Sequence, residues 1–254
     1  MILVTNDDGI VSNGIKALIE VALKFDDVLV VAPDSPQSGQ GHAITIEQPL
    51  RLRKVDIFEG VEAYECSGTP VDCVKLAKNV LRKNQPFTMC LSGINHGSNS
   101  ALNIIYSGTM SAAMEASLEG INSIGFSLCN YDQDADFSAS KVIIEKIIRA
   151  ALENKFGDCK LLNVNIPSVP LNQIKGIKVC RQGQGQWVEE FVEAVDPRGE
   201  KYYWLTGKFT NFEDPIDESN DIHALAHNYV SIVPSHHDLT HYASIESFKY
   251  LEKI

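Results

Sequence analysis

Apolar positions along the chain fall into two alternating patterns. Residues 2–5, 28–33 ("VLVVAP"), 87–95 ("FTMCLSGIN"), 123–129 ("SIGFSLC") and 160–167 ("KLLNVNIP") form short runs that are apolar almost throughout. Runs of that length and density predict strands covered on both faces. Between them apolar residues recur at helical spacing. Ile15, Leu18, Ile19, Ala22 and Leu23 line one face of a helix that Ser12 caps and that runs to about Phe25. Thr69 and Pro70 open another helix, since proline lacks only an N–H that the first turn does not use. Residues 108–120 ("GTMSAAMEASLEG") read as a helix packed through its alanines, and 140–154 as an amphipathic one. Strands alternating with helices predict an α/β fold with a mostly parallel sheet.

The remaining segments break this rhythm. Residues 43–58 read as extended, hairpin-like structure broken at Pro49. After residue 182 helical periodicity disappears. Two long strands joined at "DPRGE" predict a protruding β-hairpin arm, which alone is marginal and is expected to pack on a second subunit. A short helix and a strand over 220–234 and a closing helix over 243–254 complete the chain. The expected division is a core over 1–182 and an arm with an oligomerisation segment over 183–254.

Polar segments follow the ends of the buried strands: "NDDG" after the first, "DSPQSG" after the second, "SGIN" after the third. In an open α/β sheet that edge is where ligands bind. Asp7 and Asp8 are adjacent like charges at the end of a buried strand, and a cation between them removes the conflict. Gly9 lets the backbone turn there. Carboxylates with neutral oxygens suit a hard ion such as Mg²⁺ or Mn²⁺, and Ser38 and Asn95 sit in loops that reach the same edge. The "YSGT" segment (106–109) opens a helix, where N–H groups and hydroxyls suit an anion.

Charge narrows the partners. A net charge of -11 leaves no basic surplus for nucleic-acid polymers or anionic membranes. No run approaches the ~18 apolar residues of a membrane helix. Met1 leads straight into a strand without a leader, and the six scattered cysteines read as buried free thiols, so a cytoplasmic location is expected. His223 and His227 stand four apart, a spacing that can bind zinc, but no HExxH and no nearby cysteine supports it. His236, His237 and His241 read as surface or interface. "SGQGHAI" has Ile44 where a dinucleotide fingerprint needs its third glycine.

Taken together, "ILVTNDDGI", "VVAPDSPQSGQGHAIT", "CSGTPVDCV", "LSGINHGSN", "YSGTMSAAMEA" and "LNVNIP" resemble, in order, the motifs of the SurE family of stationary-phase survival proteins. "DIHALAHNYVSIVP" is a weaker match. The resemblance implies a Rossmann-like three-layer core and hydrolysis of nucleoside 5′-monophosphates, with 3′-monophosphates as further substrates, by one divalent cation per subunit. It implies Asp7, Asp8, Ser38 and Asn95 as metal ligands and Ser107, Gly108 and Thr109 as phosphate ligands, with Asp7 or Asp8 as general base. It also implies a homodimer or homotetramer that exchanges C-terminal segments. Met110 and Ser111 stand where the family usually has Val-Gly, and "SIVP" replaces Ser-Val-Thr-Pro.

Other classes fit less well. A broader acid phosphatase or exopolyphosphatase would use the same site. A Mg²⁺-binding receiver module needs a phospho-accepting Asp on a buried strand, whereas Asp56 lies in a charged extended segment. A phosphatase with a phospho-aspartate intermediate wants acids two apart, and "NDDG" does not supply them.

Overall fold

The side chains of β1 (Ile2–Thr5), buried along its whole length, alternate between two cores. The structure, a computed structural model, describes residues 1–154 and 156–254. Ile2 and Val4 face one core, which α1 (Asn13–Ala22) and α5 (Ser138–Glu153) cover with Ile15, Leu18, Ile143 and Ile147. Leu3 faces the other, which α2 (Pro70–Leu76) and α4 (Gly108–Leu118) cover with Cys73, Val74, Ala112 and Ala116. In β2 (Val28–Pro33), Val28 and Val30 go to the first core, Leu29 and Val31 to the second. Such strands show no polar alternation because both faces are covered. This is the expected three-layer α/β fold.

The other strands of the sheet are β3 (Leu52–Val55), β4 (Glu62–Cys66), β5 (Met89–His96), β6 (Ser123–Leu128), β7 (Leu161–Ile166), β8 (Gly176–Val179) and β13 (Tyr229–Ser235). Their order is β3-β4-β2-β1-β5-β6-β7-β13-β8. The pairings are parallel except β3 with β4 and β13 with β7. β1 lies inside the sheet next to the central β5, with Val4 opposite Val30 on one side and Leu91 on the other.

Helix starts follow the expected chemistry. The Ser12 hydroxyl accepts from the Ile15 N–H. Thr69 and Asp72 form a capping box, each side chain accepting the other's backbone N–H, with Pro70 in the first turn. α1 stops at Ala22, short of Phe25, because Lys24 and Phe25 donate three residues back, to Val21 and Ala22, and tighten the last turn.

Two expectations change. Within 43–58 only β3 is a strand. It pairs with β4, whose half-buried Glu62, Tyr64 and Glu65 obscure its pattern, and Arg53 and Lys54 blunt the sheet edge. The division at 182 does not give two units, because β13 returns to the main sheet between β7 and β8. The last residues are helical over 242–253, as expected, though in turns of mixed pitch. These turns, over Tyr242–Ser244, Ile245–Phe248 and Lys249–Lys253, leave Phe248 and Leu251 exposed.

The arm is two ribbons in line. β9 (Gly185–Val188) pairs with β12 (Lys208–Asn211), and β10 (Phe191–Val195) with β11 (Lys201–Leu205). The strands break where Glu189 and Gly207 take positive φ. At the tip Asp196 accepts the N–H groups of Arg198 and Glu200, so "DPRGE" is the expected turn.

α4 has no apolar stripe because it is enclosed nearly all round. Ala112 and Ala116 face α2 and the sheet, while Met110 and Ala113 pack with Leu161. Ala112→Leu should therefore overpack this contact, cost about 1–3 kcal/mol and lower Tm by about 3–10 °C. An unchanged melting curve would show that α4 has room beneath it.

Candidate active site at the carboxyl edge of the sheet

Central position brings three loops to one place. β1 ends in Asn6, Asp7 and Asp8. Asn6 fixes this turn by donating its amide to the Gly9 carbonyl at 3.0 Å and the Ser12 hydroxyl at 2.9 Å. The loop after β2 carries Ser38 and is tied to the turn by the Gln37 N–H, 2.8 Å from the Asp7 carbonyl. β5 reaches the edge through a register shift between Ser92 and Asn95, which re-aims the strand end where Asn95 sits. The Asn95 amide donates to the Gly97 carbonyl at 2.8 Å, leaving its oxygen for another partner.

α4 points its N-terminus at Asp7. The Thr109 hydroxyl donates to Asp7 Oδ1, and Gly108 lies so close that an added Cβ would stand 2.6 Å from the Asp7 Cβ. Ser107 caps the helix by accepting the Met110 N–H at 3.0 Å. Part of this helix end is thus engaged by a protein carboxylate. Thr109 is fully buried, and its hydroxyl is a partner of Asp7.

Both acids are destabilised as anions. Burial first, and Asp8 second, push the Asp7 carboxyl from its ordinary 3.8 up to about 6, against the pull of the Thr109 hydroxyl and N–H. Burial also raises Asp8, against the nearby His96, whose backbone N–H lies 3.3 Å from Asp8 Oδ2. Among the described residues no ion pair involves either acid. A buried carboxylate and a half-buried one, with no ion-paired side chain and beside neutral oxygens, fit a hard divalent ion. Among the described residues no three His, Cys, Asp or Glu converge on a metal position, so such an ion would rest on two charges and neutral donors. His223 and His227 stack on each other with centroids 4.0 Å apart and join no such cluster.

These groups open onto a cavity of about 640 Å³. Asp7, Ser38, Asn95 and Ser107 are among its lining residues; Asp8, Gly108 and Thr109 are not. The arm supplies the outer wall with Trp187, Glu190 and Thr206, and Tyr106 and Tyr131 flank it. The sequence did not single out Asn99, Asn103, Tyr131 or Trp187 for this place. Asn99 is fixed by two asparagines of β7: Asn165 Oδ1 accepts its N–H at 2.7 Å, and Asn163 donates to its carbonyl at 2.9 Å. The paired asparagines of "LNVNIP" were the available signal. Trp187 donates to Asn103 Oδ1 at 2.9 Å, a contact between segments 84 residues apart that no local pattern reveals.

A three-layer α/β protein with an acid pair, neutral oxygens and a helix N-terminus at the carboxyl edge of its central strands belongs to the class that handles small anionic ligands there. The profile described as "Survival protein SurE" matches residues 2–189, and the chain belongs to the SurE family. It is 54% identical over 240 residues to the "5′-nucleotidase SurE" of Cytophaga hutchinsonii, covering 94% of this chain and 92% of that one. The protein of the same description from Flavobacterium johnsoniae is 53% identical over 241 residues, with the same coverage. The crystal structure of the SurE protein from Aquifex aeolicus superposes with a TM-score of 0.85 at 39% identity, over 99% of both chains.

The raised Asp7 has a thermodynamic consequence. Its carboxyl titrates near 3.8 when unfolded and about 6 when folded, so between those values the folded state binds more protons and stability falls as pH rises. The penalty is fully present above about pH 6 and amounts to on the order of 3 kcal/mol. In chelator at pH 7.5, Asp7→Asn should therefore melt higher than wild type, by about 6–10 °C, with the gap closing towards pH 4. Added Mn²⁺ should raise the wild-type Tm and leave that of the variant unmoved. A variant that melts lower at pH 7.5 in chelator would show that the Asp7 charge is already compensated.

Proposed function

We propose that the chain is a divalent-metal-dependent phosphomonoesterase that hydrolyses nucleoside 5′-monophosphates to nucleoside and phosphate, with 3′-monophosphates as further substrates. The observation that carries this reading is the uncompensated Asp7–Asp8 pair at a cavity with aromatic outer walls. The 5′-nucleotidase description of relatives at 53–54% identity agrees with it. Asp7, Asp8, Ser38 and Asn95 would hold the cation. Such an ion would supply positive charge, polarise a phosphoryl oxygen and acidify water.

The chain's own groups do the rest. Ser107, at the α4 N-terminus, would meet the phosphate beside Asp7, with Gly108 letting the helix come that close to the acid. Asp7 is the acid of the pair that lines the cavity, and it takes the proton of the attacking water as general base. Thr109 steers Asp7 through its hydroxyl. Tyr131 and Trp187 stand at the outer end, where a nucleoside attached to that phosphate extends.

The test is a panel of nucleoside 5′- and 3′-monophosphates, polyphosphate and simple phosphate esters, assayed with Mn²⁺, Mg²⁺, Co²⁺ and Zn²⁺. Phosphate release from nucleoside monophosphates should need added metal and stop on chelation. Polyphosphate turnover exceeding nucleotide turnover would favour an exopolyphosphatase. Asp7→Asn and Asp8→Asn should each lower kcat/KM by ~10³-fold, and Ser38→Ala by roughly 10- to 100-fold with partial rescue by excess metal. Thr109→Val should lower kcat with little change in KM, because it acts through Asp7. A large KM effect alone would return Thr109 to direct phosphate contact.

The same reading includes a homodimer or homotetramer. Tyr203, Trp204 and Leu205 of the arm are exposed, as are Leu239 and Phe248 in the C-terminal segment, and such surface is unusual on a monomer. Light scattering at micromolar concentration should give a multiple of 28.0 kDa, and a single-chain mass would refute the assembly.

A further inference from the structure

Asp221, the first residue of α6 (Asp221–Ala226), is a fully buried carboxylate with no part in the acid pair. Among the described residues no cationic side chain forms an ion pair with it. Burial raises its pKa, which marks the cost of keeping a charge there. Its oxygens instead accept two backbone N–H groups from distant segments. Oδ2 takes Ala101 at 2.9 Å, and Oδ1 takes Gly183 at 2.8 Å.

Both segments lead to the outer wall of the cavity. Ala101 belongs to the loop between β5 and α3 (Asn103–Tyr106), and it is held in a left-handed conformation, φ 51°, that alanine disfavours. Two residues on, Asn103 accepts the Trp187 indole N–H. Gly183 lies at the root of the arm, two residues before the strand that carries Trp187. Asp221, Ala101, Asn103, Trp187 and Gly183 therefore close a ring, with the carboxylate as its only charged member. The inner half of the same loop has separate supports, since Asn163 and Asn165 hold Asn99 and the Gly97 carbonyl is tied to Asn95.

We infer that Asp221 is a positioning residue that sets the nucleoside-facing wall of the site by fastening the 101–103 loop and the arm to one buried anion. The inference rests on the proposed nucleotidase reading. It separates two functions: the inner end, with the acids, Asn95 and Asn99, is built without Asp221, while the outer end depends on it. Loss of the carboxylate loosens the grip on the nucleoside and leaves the phosphate chemistry in place.

The experiment compares a nucleoside 5′-monophosphate with phosphoethanolamine, a small phosphate ester without a nucleoside. Asp221→Asn replaces one acceptor oxygen by an amide donor facing an N–H. It should raise KM for the nucleotide by ~10-fold and leave kcat for both substrates within ~3-fold. Trp187→Phe, which deletes the indole donor but keeps a ring against Phe209, should act in the same direction. The double variant should be no worse than Asp221→Asn alone, because both break one ring. A proportional fall in turnover on both substrates, or no change on either, would overturn the assignment. A readout independent of activity comes from emission of Trp187 in a Trp204→Phe background. Asp221→Asn should shift it to the red, and an unmoved spectrum also overturns the inference. A wild-type chain inactive on every nucleoside monophosphate would instead sink the nucleotidase reading, and the emission shift would still decide the role of Asp221.

Discussion

Two adjacent carboxylates at the end of a buried strand are the constraint around which this site is organised. The folded chain brings Asp7 out of water and leaves it beside Asp8 without a lysine or arginine to answer either charge. Sheet burial and charge pull in opposite directions here. The fold tolerates the conflict by turning dipoles towards the pair: the N-terminus of α4 and the Thr109 hydroxyl at Asp7, and the His96 N–H at Asp8. These donors lower the cost without removing it. Under the proposed reading, the residual instability is what would make the site receptive to a cation.

The surrounding architecture keeps this arrangement rigid. β1 has strands on both sides and helices on both faces, so the acid turn is set on the most enclosed part of the sheet. Asn6 locks the turn internally, and the Gln37 contact ties the neighbouring loop to it. α4 must approach closely enough to touch Asp7, which explains why its buried surface is alanine and why its first residue is glycine. Packing of that helix and electrostatics of the site are one problem solved by the same residues.

Much of this could be read from the sequence because it is written locally. The all-apolar runs and the caps at Ser12 and Thr69 depend on neighbours a few residues away, and each produced its element. Asp7 and Asp8 announced themselves as like charges at a strand end. What escaped depends on distant partners. β4 was hidden because an edge strand with Glu62 and Glu65 has no apolar pattern to show. The bond from Thr109 to Asp7 is equally hidden, because a helix start looks the same whether its donors face a ligand or another side chain. Asp221 gave no signal, since in sequence it is an ordinary acid in the first turn of a helix. The 183–254 segment was read as a separate unit because β13 reveals its place only when its partners on β7 and β8 are known.

That place in the sheet has a consequence for the order in which the chain is made. Among the described residues β8 has no sheet neighbour except β13, and β13 comes about 50 residues later. While the chain is being synthesised, β7 stands as a bare edge next to a finished central sheet, and residues 176–179 have nothing to pair with. The edge closes only when residues 229–235 arrive after the whole arm has emerged. A strand from a neighbouring nascent chain offers the same hydrogen bonds during that interval. Fusions or truncations that delay or remove β13 therefore prolong the exposure of the β7 edge, and a partner placed at the C-terminus adds to the length of chain behind which that last strand must find its slot.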